Sequence, residues 1–270
     1  MLRLENIIYL FVLIHLNISE MTIKNNTIEK LYMESLVGPI HSQKKVYKYL
    51  TFDSGIMMLN NTNIQFTRAD KLNDWLDCNV NKIDYNSVTS NEEIKRIIKE
   101  HDGHFFNSLG ICSLGTSAYN ETLWNRYTYT NNLETGMSIE LDTNSVIHHF
   151  IQTGKPKYGF IALFVKYDDD IIQAIDRTLL EKNKLTQQIF FSKMVTTKNA
   201  RIWKDEDEIR FILMDGIGDN DYYREVLPSS CITKIFLGKD ISSKQKRIIN
   251  LIVKNKLHGI DVVSRETALK

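Results

Sequence analysis

The chain predicts an α+β fold: a single compact domain, with a mixed, mainly antiparallel sheet flanked by helices. Three observations carry this. From residue 45 onward, short segments with a two-residue alternation of apolar and polar side chains recur along the chain. Helical segments are interspersed among them without the regular βαβ rhythm of a doubly wound sheet. No glycine-rich phosphate loop is present, because Gly216-Ile-Gly218 lacks a third glycine and no helical pattern follows it.

Each element follows from local pattern. Lys45 to Leu50 reads as a strand, Asp53 to Asn60 as a helix, and Asn63 to Thr67 as a second strand. Ser90-Asn-Glu-Glu93 reads as a capping box opening a helix to about His101. Ser108 to Leu114 is a predicted strand, Glu121 to Thr128 a short helix, and Gly136 to Leu141 a strand, after which Thr143 caps a helix to about Gln152. The apolar run Tyr158 to Tyr167 predicts a central strand; Asp168 to Lys182 and Leu185 to Val195 read as helices. A charged strand at 205–214 follows, then strands at Tyr222 to Leu227 and Ile232 to Leu237. An amphipathic helix over Ser242 to Lys256 and a strand at Ile260 to Val263 close the pattern.

Composition narrows the function classes. With 270 residues, 43% hydrophobic and 25% charged, the chain can bury an adequate core, and 3 prolines and 12 glycines argue against long linkers. Lys and Arg number 34 against 33 Asp and Glu, so the formal charge of +1 gives no bulk electrostatic case for nucleic acid or an anionic membrane. Cys78, Cys112 and Cys231 are odd in number and far apart, which excludes a disulfide framework or structural zinc motif and fits a reducing, cytoplasmic setting. Residues 1–40 read as an N-terminal extension ahead of a domain at 41–270. Arg3 and the apolar run Ile7 to Leu16 are signal-peptide-like, but the run is too short to span a bilayer and no small-x-small cleavage site follows. Met21 and Met33 are plausible alternative starts, so the extension reads as a mis-called start or a peripheral helix.

The most informative stretch is Arg201-Ile-Trp-Lys-Asp-Glu-Asp-Glu-Ile-Arg210. On a strand it puts Glu206, Glu208 and Arg210 on one face, with Asp207, Ile209 and Phe211 on the other. Like charges on one strand face repel, which points to a polar site. In Val46-Tyr-Lys-Tyr-Leu50, Tyr47 and Tyr49 share a face that suits stacking on a ligand ring or packing at a half-buried edge. Asn73 and Asp74 are turn and cap residues; Asp74 and Asp77 together offer only two cation ligands, where hard cations take about six oxygens. Trp124 and Tyr127 share a helix face that serves a ligand wall or a core, and Arg126 points elsewhere as a solvated residue. The histidines lack partners at metal-ligand spacing, and neither Cys112 nor Ser113 has an identifiable base.

Taken in order, these motifs resemble the mostly bacterial family known as domain of unknown function 2971. The resemblance covers about residues 45–263. It rests on Tyr47-Lys48-Tyr49, on the strand leading into Asn73-Asp74, on Cys112-Ser113 with Trp124-Asn-Arg-Tyr127, and on Gly136-Met-Ser-Ile-Glu140. It also rests on Trp203, Glu206, Glu208 and Arg210, and on Ile235-Phe-Leu-Gly238. Trp75 stands where the family usually has proline.

The layout is also similar to ADP-ribosyltransferase-like folds, in which an early strand, an aromatic wall and a late glutamate form an NAD site. That analogy implies an NAD-consuming transferase or glycohydrolase in a defence or toxin-like context, with NAD as substrate and no permanently bound cofactor. Tyr47, Lys48 or Tyr49 would hold the dinucleotide, and Trp124 and Tyr127 would stack on nicotinamide. Glu208, or else Glu206, would stabilise the oxocarbenium-like charge, and Arg210 would contact pyrophosphate. One alternative is a metal-dependent nuclease using Asp74, Glu140, Glu206 and Glu208. The other is a binding or regulatory module, as in phage defence, in which Arg210 pairs with Glu206 or Glu208 in a structural network.

Overall fold

The computed structural model describes residues 40, 42–153, 159–168, 175–180, 182, 184–214, 217, 220–257 and 260–266. The N-terminal extension, apart from Ile40, lies outside them, as do Met21 and Met33.

In chain order the elements begin with β1 (Lys45–Leu50), α1 (Phe52–Asn61), β2 (Asn63–Arg68), β3 (Ile83–Asp84), α2 (Glu92–Ser108) and β4 (Gly110–Gly115). Next come α3 (Glu121–Tyr127), β5 (Tyr129–Thr130), β6 (Leu133–Glu134), β7 (Met137–Asp142), α4 (Thr143–Thr153), β8 (Phe160–Phe164), β9 (Lys166–Asp168) and β10 (Ile175–Asp176). The chain continues with α5 (Lys184–Thr196), β11 (Thr197–Asn199), α6 (Ala200–Trp203), β12 (Glu208–Leu213), β13 (Tyr222–Val226), β14 (Ile232–Leu237), α7 (Ser243–Lys256) and β15 (Asp261–Ser264). The fold is α+β, with a mixed, mainly antiparallel sheet flanked by helices.

Some boundaries move for identifiable reasons. Asn91 rather than Ser90 caps α2, its side chain accepting from the amides of Glu93 and Ile94, and the helix runs on to Ser108. Ser242 does form a capping box with Gln245 at the start of α7. The helix expected over 168–182 lies partly outside the described residues; what is described there is β10 followed by a 3-10 turn at Arg177–Leu180.

Among the described residues nine strands form the main sheet, in the order β13-β2-β4-β1-β7-β14-β15, with β12 on the second edge of β4 and β8 beyond it. Of the described strands only β14 and β15 run parallel within it. Two cores sandwich the sheet around β12. Ile209, Phe211 and Leu213 pack on one side with residues of α1, α4 and α7. Ile212 packs on the other with Phe106 of α2 and with Phe190, Phe191 and Met194 of α5. Period-2 alternation therefore sends Glu208 and Arg210 toward the α5 side.

The feature that positions the site is a fork in this sheet. β12 pairs with β4 along its whole length, Glu208 opposite Gly115 through Leu213 opposite Gly110. The opposite edge of β4 is shared: β2 pairs with it only at Ile111 and Gly110, and β1 only at Gly115. Between those anchor points β1 and β2 part, and the Lys48 ammonium donates to the Ser113 carbonyl at 2.9 Å. An unpaired strand edge in a fold interior needs such a partner.

Close backbone approach fixes the far arm of the fork. A Cβ on Gly136 would collide with the Leu50 carbonyl oxygen and with Thr128, neither of which can swing away as a long side chain would. Gly136→Ala is expected to lower unfolding free energy by about 1–3 kcal/mol, read by urea denaturation. A change below about 0.5 kcal/mol, the usual scatter of surface substitutions, would show that the strand junction gives way freely.

Candidate functional site

A cleft of about 260 Å³ opens where β1 and β2 part. Tyr47, Lys48, Ser113, Tyr127, Glu206 and Glu208 are among its walls. β1 supplies Tyr47 and Lys48, β4 supplies Ser113, α3 supplies Tyr127, and Glu208 comes from the first residue of β12.

Beneath the cleft runs an alternating chain of six charges. Asp77 accepts from Arg210 at 2.7 Å, and Arg210 donates through Nε to Glu208 at 2.7 Å. The second oxygen of Glu208 accepts from Lys198 at 2.9 Å; Lys198 also reaches Glu206 at 3.1 Å, and Glu206 accepts from Arg126 at 2.9 Å. Three cations face three anions, and all but Arg126 are buried. Removing charges from water carries a large penalty, so such a chain persists only because every member is paired and hydrogen-bonded. Arg210 is additionally bound to the Val195 carbonyl of α5, and Trp203 stacks beneath both Lys198 and Arg126. The far oxygen of Asp77, Oδ1, is buried and has no hydrogen-bond partner among the described residues.

The electrostatics leave Glu208 ionised. Burial alone would raise its pKa, but the Arg210 and Lys198 cations, with hydrogen bonds from Arg210 and the Ser113 hydroxyl, pull it from 4.5 to about 2. Lys198 is likewise held charged: burial opposes its charge, and Glu208 leads the anions that overrule it. Tyr47 and Tyr127 stay neutral, raised by burial and by their neighbours Glu140 and Glu206. A carboxyl with a depressed folded-state pKa contributes stability that is complete above its unfolded value and is lost as pH falls through the folded value. Acid should therefore destabilise the protein between 4.5 and about 2, and Glu208→Gln should remove much of that slope. Urea midpoints measured across that window check this, and an unchanged slope in Glu208→Gln would assign the acid sensitivity elsewhere.

The structure brings several expected residues together and withdraws others. Tyr47, Lys48, Tyr49, Asn73, Tyr127, Glu206 and Glu208 all line the cleft. Glu206 does not lie on the strand as expected. Lys204–Glu206 form a 3-10 turn after the short helix α6, and Asp207 has a left-handed φ of 47°. That residue breaks the alternation, so Glu206 meets Lys198 from a turn while Glu208 meets it from β12. Trp124 is fully buried, with its indole N–H donating to Ala118 and its ring edge-on to Tyr49, so it belongs to a small core rather than to a ligand wall. Tyr49 is nearly buried as well and donates its hydroxyl to the Ser117 carbonyl. Arg210 is fully enclosed, which removes it from contact with a pyrophosphate. Asp74 is buried and accepts from the amide of Leu76, the turn role its sequence suits.

The four acids of the nuclease alternative are not gathered as a metal site. Among the described residues no group of three or more His, Cys, Asp or Glu is placed to hold a metal ion. Glu140 instead accepts from Tyr47 and Thr233. Lys198 carried no sequence signal, whereas Arg126 and Asp77 lay inside motifs read for other purposes. Cys78, Cys112 and Cys231 are free and buried, and burial pushes the Cys78 thiol up to about 11. Among the described residues no helix is long and apolar enough to cross a membrane.

No family model matches the chain, and no curated protein matches it. Among solved structures it is similar to Thermus sp. 2.9 DarT in complex with NAD+, at a TM-score of 0.37 and 8% sequence identity, over 83% of this chain and 96% of that one. A likeness of that size is too slight to carry a functional reading.

Proposed function

We propose that the cleft is the active site of an NAD-consuming enzyme, an ADP-ribosyltransferase or glycohydrolase in a defence or toxin-like setting within the reducing cell interior. We propose too that the chain is a member of the domain of unknown function 2971 family, on the ordered motifs alone. The observation that carries the enzymatic reading is an ionised, immobilised Glu208 in the wall of a cleft flanked by Tyr47, Lys48 and Tyr127. In this reading the bond between nicotinamide and ribose breaks, its electron pair leaves with neutral nicotinamide, and the ribosyl carbon becomes cationic. A carboxylate already fixed by Arg210 and Lys198 needs no reorganisation to stabilise that charge. Tyr127 and Tyr47 supply aromatic surface at the mouth, and water or an acceptor nucleophile then takes the ribosyl group. Glu208 is the stronger candidate because it is fixed on β12 by Arg210 and Lys198, whereas Glu206 sits on the 3-10 turn before it.

A second reading has its own observation: both oxygens of Glu208 are occupied, by Arg210 and Lys198. That arrangement also suits a structural network in a binding module. Incubation with NAD decides between the two. Release of nicotinamide by the wild type, and its loss in Glu208→Gln, supports the enzyme. No release from correctly folded wild type supports the module.

A further inference from the structure

We infer that the fork has a second lobe that holds the phosphoryl groups of the substrate, with Arg224 and Lys48 as its anion contacts; this rests on the nucleotide reading of the first lobe. The second lobe, about 310 Å³, lies between the start of α1 and the strands β2 and β13. It shares Lys48, Tyr49, Thr67 and Tyr127 with the first, so the two lobes meet at Lys48. Among the described residues none that lines it is acidic, whereas Lys48 and Arg224 both line it. The contacts that hold these cations are neutral. Lys48 donates to the Ser113 carbonyl, and Arg224 donates through Nε to the Gln65 amide oxygen at 3.2 Å while its guanidinium lies over the Tyr222 ring. Among the described residues neither has a carboxylate within ion-pair distance, unlike Lys198 and Arg210 next door.

Two cations kept in a concave, acid-free lobe present a field that favours an anion. Among the described residues Arg224 uses only Nε in a hydrogen bond, which leaves its other guanidinium nitrogens for a phosphate, the geometry in which arginine binds such oxygens best. Thr51 and Ser54 line the same lobe and add hydroxyl donors. The charge pattern also sets a direction. The first lobe has Glu206 and Glu208 in its wall, which suits a developing cation, and the second has only positive charge, which suits a diphosphate. A nucleotide would therefore lie across the fork with its reacting ribose toward β12 and its phosphates toward β13.

The test titrates the full-length protein with ADP-ribose, adenosine and inorganic pyrophosphate by calorimetry. Wild type is compared with Arg224→Gln, Arg224→Lys and Lys246→Gln, the last an exposed charge on α7 that controls for net charge. Arg224→Gln is expected to weaken ADP-ribose binding about tenfold, as loss of one charged hydrogen-bonding group does, with adenosine little affected. Arg224→Lys should recover part of the loss, and Lys246→Gln should change nothing. Unchanged ADP-ribose affinity in Arg224→Gln, or no binding of either phosphate-bearing probe to wild type, overturns the assignment. Binding of pyrophosphate alone, unaffected by Arg224→Gln, overturns it too. The reaction is judged separately: nicotinamide release with a normal KM in Arg224→Gln keeps the reaction and removes the lobe. Arg224-dependent ADP-ribose binding without nicotinamide release keeps the lobe and removes the reaction.

Discussion

Arg210→Met is expected to lower unfolding free energy by about 3–5 kcal/mol, the range found when one partner of a buried ion pair is deleted. The methionine would fill much of the same volume, so the loss is electrostatic rather than a cavity. It leaves Asp77 and one oxygen of Glu208 facing an apolar side chain, and the Val195 carbonyl without its donor. Adding Asp77→Asn to Arg210→Met should recover part of the loss, because one of the two stranded charges disappears; urea denaturation of Arg210→Met, Asp77→Asn and the double variant gives the coupling. A loss under about 1 kcal/mol for Arg210→Met would mean that water reaches the site and screens the charges left behind.

Glu208→Gln is expected to reduce the rate of nicotinamide release by about 10²–10³, the effect of removing one preorganised electrostatic group from a transition state. The loss should fall on kcat, with KM for NAD little changed, since the interaction strengthens only as the ribosyl cation forms. The same substitution weakens the fold, because Arg210 and Lys198 lose a shared anion, so rates must be compared well below the melting temperature of the variant. Normalising each rate to the folded fraction, read by near-UV circular dichroism, separates the two: a merely destabilised enzyme keeps the wild-type rate per folded molecule. A variant that releases nicotinamide at the wild-type rate would remove Glu208 from the chemistry.

Much of this was legible along the strands. Period-2 alternation on β12 sent Glu208 and Arg210 to one face and Ile209 and Phe211 to the other, because an interior strand has both faces defined by packing. The paired tyrosines of β1 and the short α3 were readable for the same local reasons. What could not be read was how the chain folds back on itself: Asp77 reaches Arg210 from a loop 133 residues away, and Lys198, only ten residues before Glu208, returns to it from β11 across the turn at α6. Glu206 was misplaced by a single left-handed residue, Asp207, since aspartate tolerates that conformation without demanding it as glycine often does. Trp124 and Tyr127 show the limit of helical spacing, which gives a shared face but does not say how deep each residue of that face goes. One became core and the other the mouth of the cleft.

The two arms of the fork hang from β4 by very unequal fastenings. One holds by the two residue pairs of β2 and the other by the single pair of β1, whereas β12 grips the same strand by six. A molecule long enough to touch β1 and β13 at once would act as a clasp across the fork, and the protein holding it would be stiffer than the protein without it.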